Sequence, residues 1–506
     1  MDQLVASELV FIRGTPPTST YTFKHTLVQD AAYASLLKSR RQQLHARIAR
    51  ELEGRWPEVR AARPELLAHH FAEAGLPDKA ATYGLEAGRA AFRRSAVTEA
   101  VVHLRRALGL LTRVPEDDDR RRLELDLQIA LGHALIAAKG YGVPGVRDAF
   151  ARARELATAA DTALQVSLLS GIGAYHFMRS ESRAALRVGR DVLRLSRRGD
   201  DPAAYVEGQR RIGGAFHQLG RFVSAQRHFE RGLARFAPAQ EPVREPAFTV
   251  EPYSTLLAHL FPNLLLLGYP DRARTRRLEA IELARRAAHP LTLAQHLHLA
   301  ALSAFVLRDR PGLRAWVDEF VALTAEHTLA HFLQWARIWR GWLAAEAGGG
   351  QASLTQVQEA LSAVRATGAR YWSPFYTALL ADAHRRAGDA DRALEVLGTA
   401  LEQVERTDER VYEAELYRLK GAVLLSRVPA STGEAEGCFR RALAVAQTQK
   451  ARWWELRAAT SLARLWQLQG KPREACDLLA PVYAWFAEGF DTPDLEEAAV
   501  LLDELR

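Results

Sequence analysis

One pattern recurs through the C-terminal half of this 506-residue chain: a small residue, a bulky apolar residue four positions on, and an Ala-Leu pair three positions later. It reads Ala393-x3-Leu397-x2-Ala400-Leu401, then Ala435-x3-Phe439-x2-Ala442-Leu443, then Ala475-x3-Leu479-x2-Val482, in steps of 42 and 40 residues. Those spacings lay one apolar stripe along an α-helix. A period of that size marks helical hairpins that cannot bury their own apolar faces and so stack on their neighbours. Weaker copies stand at Ala100-x3-Leu104-x2-Ala107-Leu108, Ala149 with Ala153, Ala184-Ala185, Ala225-x3-Phe229-x2-Gly232-Leu233 and Ala273 to Ala280. Their gaps of 49, 36, 40 and 48 residues predict an irregular array, on the order of ten helix pairs from Leu66 to Phe490. The expected fold is an all-α solenoid. Polar turns such as Leu219-Gly-Arg-Phe222 and Leu468-Gln-Gly470 separate the helices, with Gly closing the first of each pair. Gly213 and Gly421 are expected where neighbouring helices approach most closely.

An apolar fraction of 48% and a charged fraction of 25% belong to a folded protein. The net charge of +8 is spread thinly, and the basic runs (Arg120-Arg121-Arg122, Arg274 with Arg276-Arg277, Arg385-Arg386) are short and scattered. They read as solvated helix faces, not as the concentrated patch a nucleic acid needs. Two cysteines, Cys438 and Cys476, are too few for a disulfide framework or a common zinc site, and are expected to pack beside the repeat. No signal peptide opens the chain, and Leu256–Leu267 is broken by His259, Pro262 and Asn263, so no membrane span is expected. A cytoplasmic location follows as the expectation.

The first fifty residues differ. Leu9-Val-Phe-Ile12 and Tyr21-Thr-Phe23 are strand-like runs across a turn-rich loop, followed by helices from Leu27 to Leu37 and from Arg40 to Leu52. The segment Tyr21-Thr-Phe-Lys-His25-Thr-Leu-Val-Gln-Asp30-Ala-Ala-Tyr33, with Arg40-Arg-Gln-x-Leu44-His45-x-Arg-Ile48-Ala, resembles a junction in bacterial multidomain signalling ATPases. There a class III nucleotide cyclase often precedes a STAND-type P-loop ATPase, a winged helix and tetratricopeptide-like repeats. The similarity continues through Leu67-Ala-His-His70-Phe-x-Glu-Ala-Gly75, Arg94-Ser-Ala-x-x-Glu-Ala100 and Leu267-Gly-Tyr-Pro-Asp271. It extends through Tyr412-Glu-Ala-Glu-Leu-Tyr-Arg-Leu-Lys-Gly421, Glu455-Leu-Arg-Ala-Ala459 and Val482 to Asp494. The resemblance implies that residues 1–60 are the C-terminal part of a winged helix, a remnant whose preceding helices are missing. Residues 61–245 and 246–490 would form two blocks of a tetratricopeptide-like α-α superhelix, divided at the proline-rich stretch Pro238 to Pro252. Residues 491–506 would be a capping helix.

No Gly-x4-Gly-Lys-Ser/Thr loop occurs, so the ATPase and cyclase activities of the resembled proteins are not expected of this chain. Catalytic residues, cofactors and metal ligands are all expected to be absent. Paired acids such as Asp117-Asp118-Asp119 and Glu496-Glu497 have no nucleophile-base pattern near them. His69-His70 diverge by about 100° along a helix, which argues against joint chelation. Aromatics are the candidate site. Trp335, Trp339 and Trp342 share one helix face, and Tyr371, Trp372, Trp453 and Trp454 enrich the same half. They either line a groove or form core, and one ring of each adjacent pair is expected to face partly outward. The expected function is a regulatory, protein-interaction arm that binds a partner protein, a peptide or a small inducer and serves an ATPase or cyclase module in cis or in trans. The rivals are a DNA-binding regulator that uses Lys24-His25, and a piece of a nucleotide cyclase.

Overall fold

The computed structural model describes residues 5, 7, 9–14, 19–157, 162–199, 201–235, 252–327, 329–427 and 431–506. Most of the proline-rich break, including position 245, lies outside them. The chain divides into two compact units, Met1–Phe92 with Glu99–Ala130, and Arg93–Thr98 with Leu131–Arg506.

The first unit opens with an antiparallel hairpin, Val10–Arg13 on Thr20–Phe23, in the register Val10 opposite Phe23 and Arg13 opposite Thr20. The helix Thr26–Ser35 follows and buries none of its residues. Helices Lys38–Arg55, Pro57–Ala62, Pro64–Glu73, Pro77–Arg93 and Val97–Leu111 come next, three of them starting on proline, whose missing N–H costs nothing at a helix start. Their core gathers Ala49, Leu67, Phe71, Ala80 and Tyr83.

The second unit is a stack of helix pairs, from the end of the Asp118–Lys139 helix to Pro472–Tyr483, closed by Pro493–Glu504. Within each pair the first helix lies inside: Pro202–Gln218 is buried on nearly every side, whereas Phe222–Ala234 buries only a stripe. The motif explains that stripe. Its small and bulky positions (Ala393, Leu397 and Ala400; Ala435, Phe439 and Ala442) are all buried, and the following Leu401 and Leu443 sit half-buried at the edge. The bulky residue fills the space over a glycine of the first helix. A methyl group at Gly213 would lie 2.5 Å from the Phe229 ring, and one at Gly421 would lie 2.7 Å from Phe439. The turns close as expected, with Gly220 and Gly470 at φ +67° and +74°.

The array winds back on itself. The turn inside one pair meets the junctions that follow the fourth and fifth pairs after it. Gly142 N–H donates to Thr367 O at 2.5 Å, the amides of Arg370 and Tyr371 to Met178 O at 2.8 and 3.0 Å, and Arg410 N–H to Gln218 O at 2.7 Å. Further along, the amides of Asp271 and Arg272 donate to Glu488 at 2.9 and 3.1 Å. One superhelical turn therefore rests on the next. The closing helix buries Leu495, Ala498, Leu501 and Leu502, and Cys438 packs half-buried beside Phe439 and Leu462.

Candidate functional site: an arginine-lined cavity

The winding decides where the aromatics go. Trp335, Trp339, Trp342, Tyr371, Trp372, Trp453 and Trp454 are all buried. The imidazole of His298 lies 4.7 Å from Trp335, and Trp339, Phe375, Tyr412 and Trp454 follow as a chain of ring contacts at 5.7, 5.0 and 5.3 Å. The expectation that one ring of each adjacent pair faces outward does not hold. Trp454 donates its indole N–H to Val411 O at 3.0 Å, while Trp453 meets Phe486 on the other side. An inner helix has packing on both sides because a second superhelical turn covers it. The rings fill the axis, with Trp372 and Trp454 bordering a small apolar gap beside Leu302 and Tyr412.

One of the seven, Trp342, forms a wall of a cavity of about 390 Å³ between successive inner helices and the closing helix. Seven arginines line it: Arg308, Arg310, Arg385, Arg386, Arg418, Arg457 and Arg464. Four carboxylates, Asp382, Glu415, Asp494 and Glu497, accompany them, so the lining carries excess positive charge. Inner helices stacked side by side bring most of the lining together: Trp342 from Ala330–Glu346, Asp382, Arg385 and Arg386 from Ser373–Arg386, Arg418 from Glu413–Ser426, Arg457 and Arg464 from Arg452–Leu468. Arg308 and Arg310 come from the turn before, and the start of, Arg310–Glu326, and Asp494 and Glu497 from the closing helix.

The acids hold the arginines in place. Asp382 accepts from the Trp342 indole at 3.2 Å, from Arg385 at 2.7 Å and from Arg386 at 2.8 Å. Burial alone would raise the Asp382 pKa, but Arg386 and Arg385 outweigh it and hold the carboxyl below its usual range. The cations of Arg310 and Arg386 also sit 5.0 and 5.4 Å from the Trp342 ring. Deeper in, Arg457 spans the site. It donates to Asp494 at 3.1 and 2.9 Å, to Glu415 at 3.2 Å and to Val306 O at 2.6 Å. Burial would lower the Arg457 pKa, yet Asp494 and Glu415 push it above the ordinary arginine value. Towards the rim, Arg308 meets Glu497 at 2.8 Å, and half-exposed Arg464 reaches that same carboxylate at 3.9 Å. Arg308 holds φ +58°, a left-handed conformation in which a non-glycine residue is uncommon.

Chemically, such a wall offers planar, permanently charged donors to carboxylate or phosphate groups. None of its arginines was singled out as a site residue from sequence; Arg385-Arg386 was read as a solvated face. Helical divergence spoke against His69-His70 as a pair alone. A third imidazole, His45, comes from another helix, and one nitrogen from each of the three lies within 4.8 Å of the others.

No family model matches the chain. An uncharacterised protein of Rhizobium meliloti (strain 1021) is 25% identical over 451 residues, covering 89% of this chain and 44% of its own length, so the chain spans less than half of that relative. Among solved structures, a Rap protein complexed with competence and sporulation factor is similar at a TM-score of 0.53 with 12% identity, over 74% of this chain and 99% of that one. A STAND protein with a tetratricopeptide repeat sensor from Pyrococcus horikoshii is similar at a TM-score of 0.38 with 13% identity, over 79% of this chain and 56% of that one. Among the described residues no helix is long and apolar enough to cross a membrane. The fold is a tetratricopeptide-like α-α superhelix with a short β-hairpin near its start.

Proposed function

We propose that this chain is a non-enzymatic regulatory arm that binds a partner protein through an acidic segment, a peptide with side-chain or terminal carboxylates seated in the arginine-lined cavity. The observation that carries this reading is the convergence of seven guanidinium groups from several repeats onto one concavity whose lining holds four acids, with Glu346 behind Arg310 and Arg386 as a fifth. Guanidinium forks match carboxylates in geometry, and a recessed site strengthens each charged hydrogen bond. The resemblance to signalling ATPases supplies the setting: a switch module in cis or in trans that reads occupancy. The exposed Phe11, Leu27, Leu37 and Trp56 near the hairpin support a contact surface for such a module at that end, with the hairpin as part of a winged helix.

The test is calorimetric titration of the full chain with a short Asp/Glu-rich peptide carrying a free C-terminal carboxylate. Saturable binding is expected, weakened about tenfold or more in Arg308→Ala/Arg464→Ala, since hydrogen bonds to charged groups contribute about 1.5–3 kcal/mol. Both side chains stand at the rim, so the fold should persist. Equal affinity in the variant, or no saturation, overturns the reading. Steeply salt-dependent binding to duplex DNA in place of peptide binding would favour a nucleic-acid regulator.

A further inference from the structure

We propose that His45, His69 and His70 form a binding site for a late first-row divalent metal ion, Zn2+ in the first instance. This site lies in the first unit and is independent of the arginine-lined cavity.

His69 and His70 stand on Pro64–Glu73, and His45 on Lys38–Arg55. The two helices cross over the apolar contacts of Ala49, Leu67 and Phe71, so the imidazoles ride on a packed junction. His45 Nδ1 and His70 Nδ1 are 2.8 Å apart, and the ring of His69 lies 5.7 Å from His45 and 5.3 Å from His70. Zinc–imidazole bonds of about 2.0–2.1 Å in a tetrahedron place the nitrogens about 3.4 Å apart. The close pair therefore opens slightly and exposed His69 swings inward.

Three further features suit a metal. His45 Nε2 is 2.9 Å from the Tyr33 hydroxyl, an outer partner of the kind that fixes the tautomer and orientation of a ligating imidazole. Burial first, then the charge of the neighbouring imidazoles, lowers the pKa values of His45 and His70, the direction that favours the neutral form a metal requires. Glu73 raises both in part, supplying negative charge near the site, while Arg41 opposes it at His45. All-imidazole ligation suits Zn2+, Cu2+ or Ni2+ and not Mg2+ or Ca2+. Three protein ligands with one at the surface leave a fourth position for water. A bound ion would staple the two helices.

Metal-stripped full-length protein is titrated with ZnCl2 against a chromophoric chelator, and with CoCl2 while visible absorption is followed. One tight equivalent of Zn2+, tetrahedral Co2+ bands and a rise in Tm on adding Zn2+ are expected. His69→Ala should weaken binding at least about tenfold and leave the Tm in EDTA unchanged, because that ring is exposed; His70→Gln should weaken it as much. Should His70→Gln fail to fold, His69→Ala alone decides. Undiminished Zn2+ binding in His69→Ala places the ion at other histidines and overturns the assignment. Absence of stoichiometric binding in the wild-type chain overturns it too, leaving three hydrogen-bonded packing histidines.

Discussion

Two buried polar seams join one superhelical turn to the next, and they do so with opposite chemistry. At Glu409 a single carboxylate accepts from the Ser180 hydroxyl at 2.6 Å and from the Trp372 amide at 2.9 Å, and neither partner carries charge. At Arg457 a guanidinium sits between two carboxylates and a carbonyl, all of them buried. Position within the array accounts for the contrast. The Glu409 seam lies where aromatic rings fill the axis, with Tyr371 beside it, and offers only desolvation and neutral donors. The Arg457 seam borders the charged cavity, where acids and bases from several repeats pair with one another. One seam favours a neutral acid; the other needs its charges.

The largest effect separating them comes from removing the cation. Arg457→Ala leaves Asp494 buried without its principal partner and takes one of two cations from buried Glu415, which keeps Arg418 at 2.7 Å; breaking such a network costs about 3–5 kcal/mol. Urea denaturation followed by tryptophan fluorescence measures the loss. A change below about 1 kcal/mol would mean that water replaces the guanidinium, and the contrast between the seams would vanish.

The second seam is tested by pH. Burial pushes the Glu409 carboxyl up to about 8, against the hydrogen bonds from Ser180 and Trp372 that act to lower it. The folded chain therefore binds this proton more tightly than the unfolded chain does. Its contribution to stability is complete below the unfolded carboxylate range and is lost progressively as pH rises to about 8. Glu409→Gln keeps the shape and removes the titration. Melting curves between roughly pH 5 and pH 9 should slope downward in the wild-type chain and flatten in the variant, with the variant the more stable of the two at the alkaline end. Parallel curves would show that Glu409 is ionised throughout, held by a cation or by water.

How much of this was legible in sequence follows from the range of each interaction. The helix pairs were, because Ala393, Leu397 and Ala400 carry their spacing within one turn of helix after another. Gly213 and Gly421 were too, since the motif itself names the bulky residue each glycine must admit. The seams were not. Glu409 meets Ser180 across 229 residues and Arg457 meets Val306 across 151, distances set by the superhelical winding and not by any local period. That winding also fixed the fate of Trp453 and Trp454, which a single helix viewed alone would half-expose. The arginines of the cavity follow no period, coming from four pairs in ones and twos, and look like solvated helix faces until the inner helices are stacked. His69-His70 failed as a pair on helical geometry, and the third imidazole that joins them lies 25 residues from His70 on another helix.

The smallest expected effect sharpens the comparison from outside. Arg274 and Asp491 also join successive turns, at 3.0 Å, with the same side-chain types as Arg457 and Asp494 at 2.9 Å. What differs is solvent: the side chains of the first pair are 32% and 68% exposed, those of the second 9% and 8%. Water screens the exposed pair and hydrates each partner when the other is removed, so Asp491→Ala should cost less than about 1 kcal/mol. That small loss should shrink further in high salt, because exposed charges are screened there and buried ones are not. Urea midpoints at low and high ionic strength measure both. A loss approaching that of Arg457→Ala, or one that salt does not reduce, would mean that ion pairing itself and not burial sets the strength of these seams, and the cavity arginines would then be held far more loosely than their burial implies.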